Sequence, residues 1–320
     1  MKKRGIGLAF GGGSVKGFAH IGVLKVLEKN NIKISHIAGT SIGAAVGAIY
    51  SAGYKAKELE DFVLDIDWPE MIDISFPPKE GLLQGKELEK VLKNVLKNKT
   101  FKKLKIPFAA TAVNLISGET LIFNQGNVAK AVRASISYPG FFVPVHYKNM
   151  LLIDGGILTP IPVNAARKIG AKKVLAVDLK QKRKENVFLN MFKEYPNEKD
   201  SFKKEFKQII FQQELEEINH YLKEKKIKLP FYVKILLRSS KIRGMVTKKV
   251  KIPDIIRILF RSVQVMGDKL SAHSLKEADI IIKPKLKKIN YLEFDKIPYI
   301  IKSGEKTAQQ NIRKIKKLIK

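Results

Sequence analysis

The chain has 320 residues, 45% of them hydrophobic, no cysteine and a formal net charge of +31. That apolar content suffices for a large core and excludes a disordered chain. Without cysteine there is no disulfide, no thiolate metal site and no cysteine nucleophile.

Residues 4–10 read as a first buried strand. They follow a basic terminus, but the apolar run from Ile6 to Phe10 is too short for a secretory signal. Residues 11–17 form a glycine loop, and 18–30 a helix with Ile21, Leu24 and Leu27 on one face. A second buried strand is expected at 34–38, breaking at 39–43 into a small-residue helix over 44–52. Further strands are expected at 107–113, 119–123, 151–153 and 173–179, and helices at 86–96, 128–137 and 162–169. Strands alternating with helices predict an α/β fold with a mostly parallel central sheet. From 180 to about 253 the chain turns lysine-rich, with an amphipathic helix whose stripe includes Phe202, Phe206, Ile209, Ile210, Ile218 and Tyr221. A helix at 254–271, a strand at 279–283 and a last helix at 299–319 complete the pattern. The organisation is one domain: a core over 4–178, a basic, helix-containing insertion over 179–252, and a closing part over 253–320.

The charge is uneven. Residues 1–178 carry 25 Lys and Arg against 14 Asp and Glu, and residues 179–320 carry 36 against 16. Either an anionic partner or a codon bias accounts for this, since Lys outnumbers Arg 52 to 9. The scarcity of arginine, together with the absence of a helix-turn-helix, zinc-finger or RNA-recognition signature, argues against nucleic acid. An anionic lipid surface is the other candidate. Val187, Phe188, Leu189, Met191 and Phe192 beside lysines have the composition of an interfacial patch, or of a segment packed over the core. No run approaches the roughly 20 apolar residues of a membrane span. The expected location is the cytoplasm, or a membrane surface facing it.

Gly39-Thr40-Ser41-Ile42-Gly43 is a G-x-S-x-G run between a strand and a helix. Glycines two before and two after the serine permit a tight turn that exposes its hydroxyl, and the helix that follows aims its dipole at developing negative charge. A close helix–strand packing turn would need the same glycines. Gly11-Gly12-Gly13-Ser14-Val15-Lys16-Gly17 matches neither a Walker A loop nor a dinucleotide fingerprint. Its consecutive N–H groups at a helix start suit an oxyanion hole.

A nucleophilic serine needs a base. His20 and His36 lie inside a helix and a strand, and His146 precedes the candidate carboxylate. His220 and His273 follow it, as an α/β-hydrolase order requires, but both sit in charged helical stretches. Asp154, in Ile153-Asp154-Gly155-Gly156, ends an apolar strand where glycines allow close approach of another loop. A carboxylate titrating near 3.9 is a weak base for a hydroxyl, and desolvation would strengthen it.

These elements, in this order, resemble the patatin-like phospholipase family, most closely its compact bacterial members. Phe18-Ala19-His20-Ile21-Gly22-Val23-Leu24 fits as well. So does Arg133-Ala134-Ser135-Ile136-Ser137-Tyr138-Pro139-Gly140, leading to Phe142-Val143-Pro144-Val145. The resemblance covers about 4–178 and 253–318. It implies a three-layer α/β/α fold and a Ser41–Asp154 dyad without a catalytic histidine. It further implies an oxyanion hole from Gly11, Gly12 and Gly13, and hydrolysis of lipid acyl esters through an acyl-enzyme, with no metal or cofactor. One departure is Ser14, which stands where the family's G-x-G-x-x-G, read to end on Gly17, has its second glycine. The alternative is a non-hydrolytic lipid-binding or signalling protein on the same fold.

Overall fold

A computed structural model describes residues 5–71, 73, 75, 80–180, 254–286, 289 and 293–319. Nearly all of the expected insertion therefore lies outside the described residues. The amphipathic stripe from Phe202 to Tyr221, the patch at 187–192 and His220 lie outside with it.

Among the described residues there are ten strands: β1 (Ile6–Phe10), β2 (Ile34–Thr40), β3 (Gly81–Leu83), β4 (Phe108–Asn114), β5 (Thr120–Phe123), β6 (Gly140–Phe142), β7 (Val145–Tyr147), β8 (Met150–Asp154), β9 (Val174–Val177) and β10 (Ile280–Ile282). The α-helices are α1 (Ala19–Lys29), α2 (Ile42–Ser51), α3 (Ala56–Asp65), α4 (Lys86–Leu96), α5 (Val128–Ile136), α6 (Val163–Lys168), α7 (Asp254–Lys276) and α8 (Ile297–Leu318). A 3-10 turn (Ser14–Phe18) joins the glycine loop to α1. β10, β9, β1, β2 and β4 are parallel in that order, while β5 and β8 pair antiparallel with β4, and β7 antiparallel with β8. β3 and β6 form a separate parallel pair. No described helix is long and apolar enough to cross a membrane.

The two faces of the parallel strands differ in side-chain size, by the period-two alternation of a strand. Ile6, Leu8, Phe10 and Ile37 point into the larger core beneath α1, α2 and α8. On the other face Ala9, Ala38, Ala109 and Ala176 form a row across four strands, in register. Four methyl groups leave room for the short α6 to lie close, with Val163, Ala165 and Ala166 against them. Helices thus cover both faces, giving three layers. α1 and α8 meet through Gly22 and Gly304. A side chain at Gly22 would strike the Ile301 carbonyl, and one at Gly304 the Ala19 carbonyl.

The elements expected within the described residues are found to within a few residues, and α7 runs five residues further than its pattern. Four elements were not anticipated: α3, β3, β6 and β7. α3 is legible in retrospect, with Ala56, Leu59 and Val63 buried at helical spacing. The three strands have three residues each, too few for a period to show.

Candidate active site

Ser41 caps the amino terminus of α2 with φ 55° and ψ −127°. A non-glycine residue is costly there and holds only where its surroundings over-determine it. Three contacts do so. The Ser41 N–H donates to Ser135 Oγ at 2.9 Å. A side chain at Gly39 would collide with the backbone of Gly43 and Ala44, and one at Gly43 with the carbonyls of Phe10 and Gly11. Both glycines of the G-x-S-x-G run therefore let α2 start tight against β1 and β2, which leaves the serine at the turn.

Asp154 is brought to Ser41 by strand pairing. β5 pairs with Ala110–Val113 of β4, overlapping the partners of both β2 and β8, so it must take the opposite edge. β2 and β8 then share one edge of β4 in succession. Thr40 pairs with Thr111, and Asp154 with the next residue, Ala112. The two strands run in opposite directions and end facing each other. The Ser41 hydroxyl faces the Asp154 carboxylate, which accepts the Gly156 N–H at 2.6 Å. The Asp154 N–H donates to Ser137 O at 2.9 Å. Burial pushes the carboxyl up to about 7, against the opposing pull of the bonds from Ser41 and Gly156.

The glycine loop lies against the same point: a side chain at Gly12 would come to 3.3 Å from Ser41 Cβ. Two of the three expected donors are engaged elsewhere. The Gly11 N–H donates to Val177 O at 3.3 Å, continuing the pairing of β1 with β9, and the Gly12 N–H to Pro160 O at 3.0 Å, in the loop before α6. The N–H groups of Gly13 and of Ile42, at the first position of α2, have no protein partner among the described residues. Ser14 has φ 49°, a glycine-like conformation at the position where the motif departs from glycine.

Among the described residues, the side-chain partner of the Ser41 hydroxyl is Asp154 and not a histidine. His273 is exposed on α7 and His146 is exposed on β7, 3.6 Å from Glu80. His36 lies at the opposite end of β2 from Ser41. His20 is fully buried, and its Nε2 meets Gly11 O at 2.8 Å.

Residues without an assigned role in the sequence also build the site. Arg133 and Ser135 are buried on α5, and Ser137 is buried at its carboxyl-terminal cap. The guanidinium of Arg133 donates to Gly85 O at 3.0 Å, Ser137 Oγ at 2.7 Å, Val143 O at 3.1 Å and Gln84 O. It ties the β3–β6 pair to the helix that supports both Ser41 and Asp154. Behind the site, Thr40 Oγ1 lies 2.7 Å from Thr111 Oγ1 and donates to Thr159 O at 2.8 Å. Three polar side chains at alternate positions, closing a mostly apolar helix, are the signal that could have revealed this support. A shallow recess along α4, lined by Lys86, Glu89 and Lys93 among others, shares no residue with the site.

Residues 8–167 match the family model described as patatin-like phospholipase. An uncharacterized NTE family protein of Mycobacterium bovis is 32% identical over 176 residues, 54% of this chain and 49% of that protein. Lysophospholipase NTE1 of Candida albicans is 29% identical over 186 residues, 56% of this chain and 13% of that protein. The matched region thus covers about half of the mycobacterial relative's length and a small part of the yeast one. VipD from Legionella pneumophila superposes with a TM-score of 0.50 at 12% identity, over 97% of this chain and 66% of that one, a likeness of fold alone. With half of its length matched by that model, this chain belongs to the patatin-like phospholipase family.

Proposed function

We propose that this chain is a serine lipid acyl hydrolase working through a Ser41–Asp154 dyad. The observation that carries the reading is the placement of the Ser41 hydroxyl, at the amino terminus of α2, against a buried carboxylate whose pKa burial raises to about 7. As Ser41 Oγ attacks the ester carbonyl, its proton passes to Asp154. The tetrahedral oxyanion is held by backbone N–H groups, with Gly13 and Ile42 as the donors rather than Gly11 or Gly12. Collapse expels the alcohol, which takes the proton back from Asp154 and leaves an acyl-Ser41 ester. Asp154 then accepts a proton from water, the hydroxide attacks the acyl carbon, and the returning proton restores Ser41.

The family description and the name of the yeast relative support phospholipid or lysophospholipid acyl esters as substrates. The charge of +31 supports an anionic lipid interface as the place of action. Labelling with a fluorophosphonate probe tests the assignment. Wild type is expected to label, Ser41→Ala not at all, and Asp154→Asn far more slowly; full labelling of Ser41→Ala would refute it. Fatty acid release from lysophospholipid and diacyl phospholipid vesicles then fixes the substrate class.

A further inference from the structure

We infer that His20 is a positioning residue of this active site: its Nε2–H holds the Gly11–Gly12 peptide, and so sets the direction of the Gly13 N–H that meets the oxyanion. The inference rests on the proposed role of Ser41. His20 stands in the first turn of α1 and reaches back nine residues to Gly11 O, at 2.8 Å. Because that partner is a carbonyl, Nε2 carries the hydrogen. The same peptide unit is gripped at its other end, where the Gly12 N–H donates to Pro160 O at 3.0 Å. A peptide plane bonded at both ends cannot rotate. The next N–H along the chain is that of Gly13, which has no protein partner among the described residues. Pro160 lies six residues beyond Asp154, so the clamp also joins the glycine loop to the segment that carries the carboxylate.

Packing alone does not call for histidine here. The ring stacks on Phe10 with centroids 4.4 Å apart and planes 18° from parallel, and it is fully buried. Its Nδ1 is buried with no hydrogen-bond partner among the described residues. A phenylalanine would make the same stack without an unsatisfied nitrogen, so what histidine adds is the Nε2–H. Burial lowers its pKa to about 4, which keeps the ring neutral, and the bond to Gly11 O sets the tautomer. The side chain is therefore a constant donor rather than a proton carrier.

The test compares His20→Phe and His20→Gln with wild type on a soluble ester. Thermal unfolding and the rate of fluorophosphonate labelling are measured alongside. His20→Phe is expected to fold with a Tm within about 5 °C of wild type. Its kcat should fall about tenfold or more while KM stays within about threefold, because the lost contact acts on the transition state. The labelling rate should fall with kcat. His20→Gln, whose amide N–H can donate to Gly11 O, should recover part of both. Wild-type kcat in His20→Phe overturns the inference. If His20→Phe does not fold, His20→Asn, with an amide too short to reach, replaces it. Equal kcat in His20→Asn and His20→Gln then overturns the inference too. Ser41→Ala separates the two levels. Hydrolysis that survives Ser41→Ala removes the underlying reading. Its loss there, together with an unchanged kcat in His20→Phe, removes only the role of His20.

Discussion

The parallel strands and the antiparallel strands supply the site in different ways. β1 and β2 end at the same edge because they run the same way, and each hands over to a turn and a helix start. The glycine loop and Ser41 are the products of those two endings. β8 runs against β4 and arrives from beyond that edge, so its last residue, Asp154, meets the end of β2 head-on. The parallel half thus provides N–H groups and a hydroxyl at helix starts, where the helix dipole favours negative charge. The antiparallel half provides a carboxylate from a strand end, buried and without a cation bonded to it among the described residues. One half is arranged to receive charge and the other is strained by holding it.

That contrast can be broken most directly at Asp154. Asp154→Asn keeps the shape but removes the proposed base, and the turnover number is expected to fall by about 10²–10⁴-fold. Equal activity in the amide would mean that the carboxylate is not the base. The pH dependence sharpens the same point. In the proposed dyad Asp154 takes the Ser41 proton only when ionised, so kcat/KM should rise with pH through about 7 and level off above. Stability should run the other way. The folded-state pKa is raised, so the native state binds this proton more tightly than the unfolded chain, and stability is lost as pH rises from about 4 to about 7. Asp154→Asn should therefore be more stable than wild type at pH 8, by at most about 4 kcal/mol, and gain nothing at pH 3. Denaturant melts at the two values would check this; an equal gain at both would show that the charge is not the cause.

On the parallel side the effects are smaller. Ser135→Ala removes the acceptor for the Ser41 N–H and frees a strained backbone, and about a tenfold fall in kcat is expected. Saturation kinetics on a soluble ester would measure it, and unchanged kcat would mean that the elbow holds without this bond. Further from the chemistry, Ala38→Leu puts a large side chain into the alanine row under α6. It should cost about 1–3 kcal/mol in a denaturant melt, with the pH–rate profile unmoved. A shift in that profile would show that the lower layer reaches the site.

Much of this was readable without coordinates. The strand–glycine–helix alternation marks the elements of the parallel half, since hydrophobic period and glycine placement are local properties. The G-x-S-x-G turn and the strand before Asp154 are local too, and they name the two residues that the structure brings together. Fold membership follows from the order of those blocks. Tertiary structure decided what depends on pairing between distant segments. That β2 and β8 share one edge of β4 is a matter of register between residues 40, 111, 112 and 154, and no window of sequence contains it. The engagement of Gly11 and Gly12 by Val177 and Pro160 was hidden for the same reason, as was the support that Ser135 gives to Ser41. Sequence by itself named the groups that could react. Only the fold decided which hydrogen bonds they already make, because a backbone N–H has no identity in the sequence and acquires one from its partner.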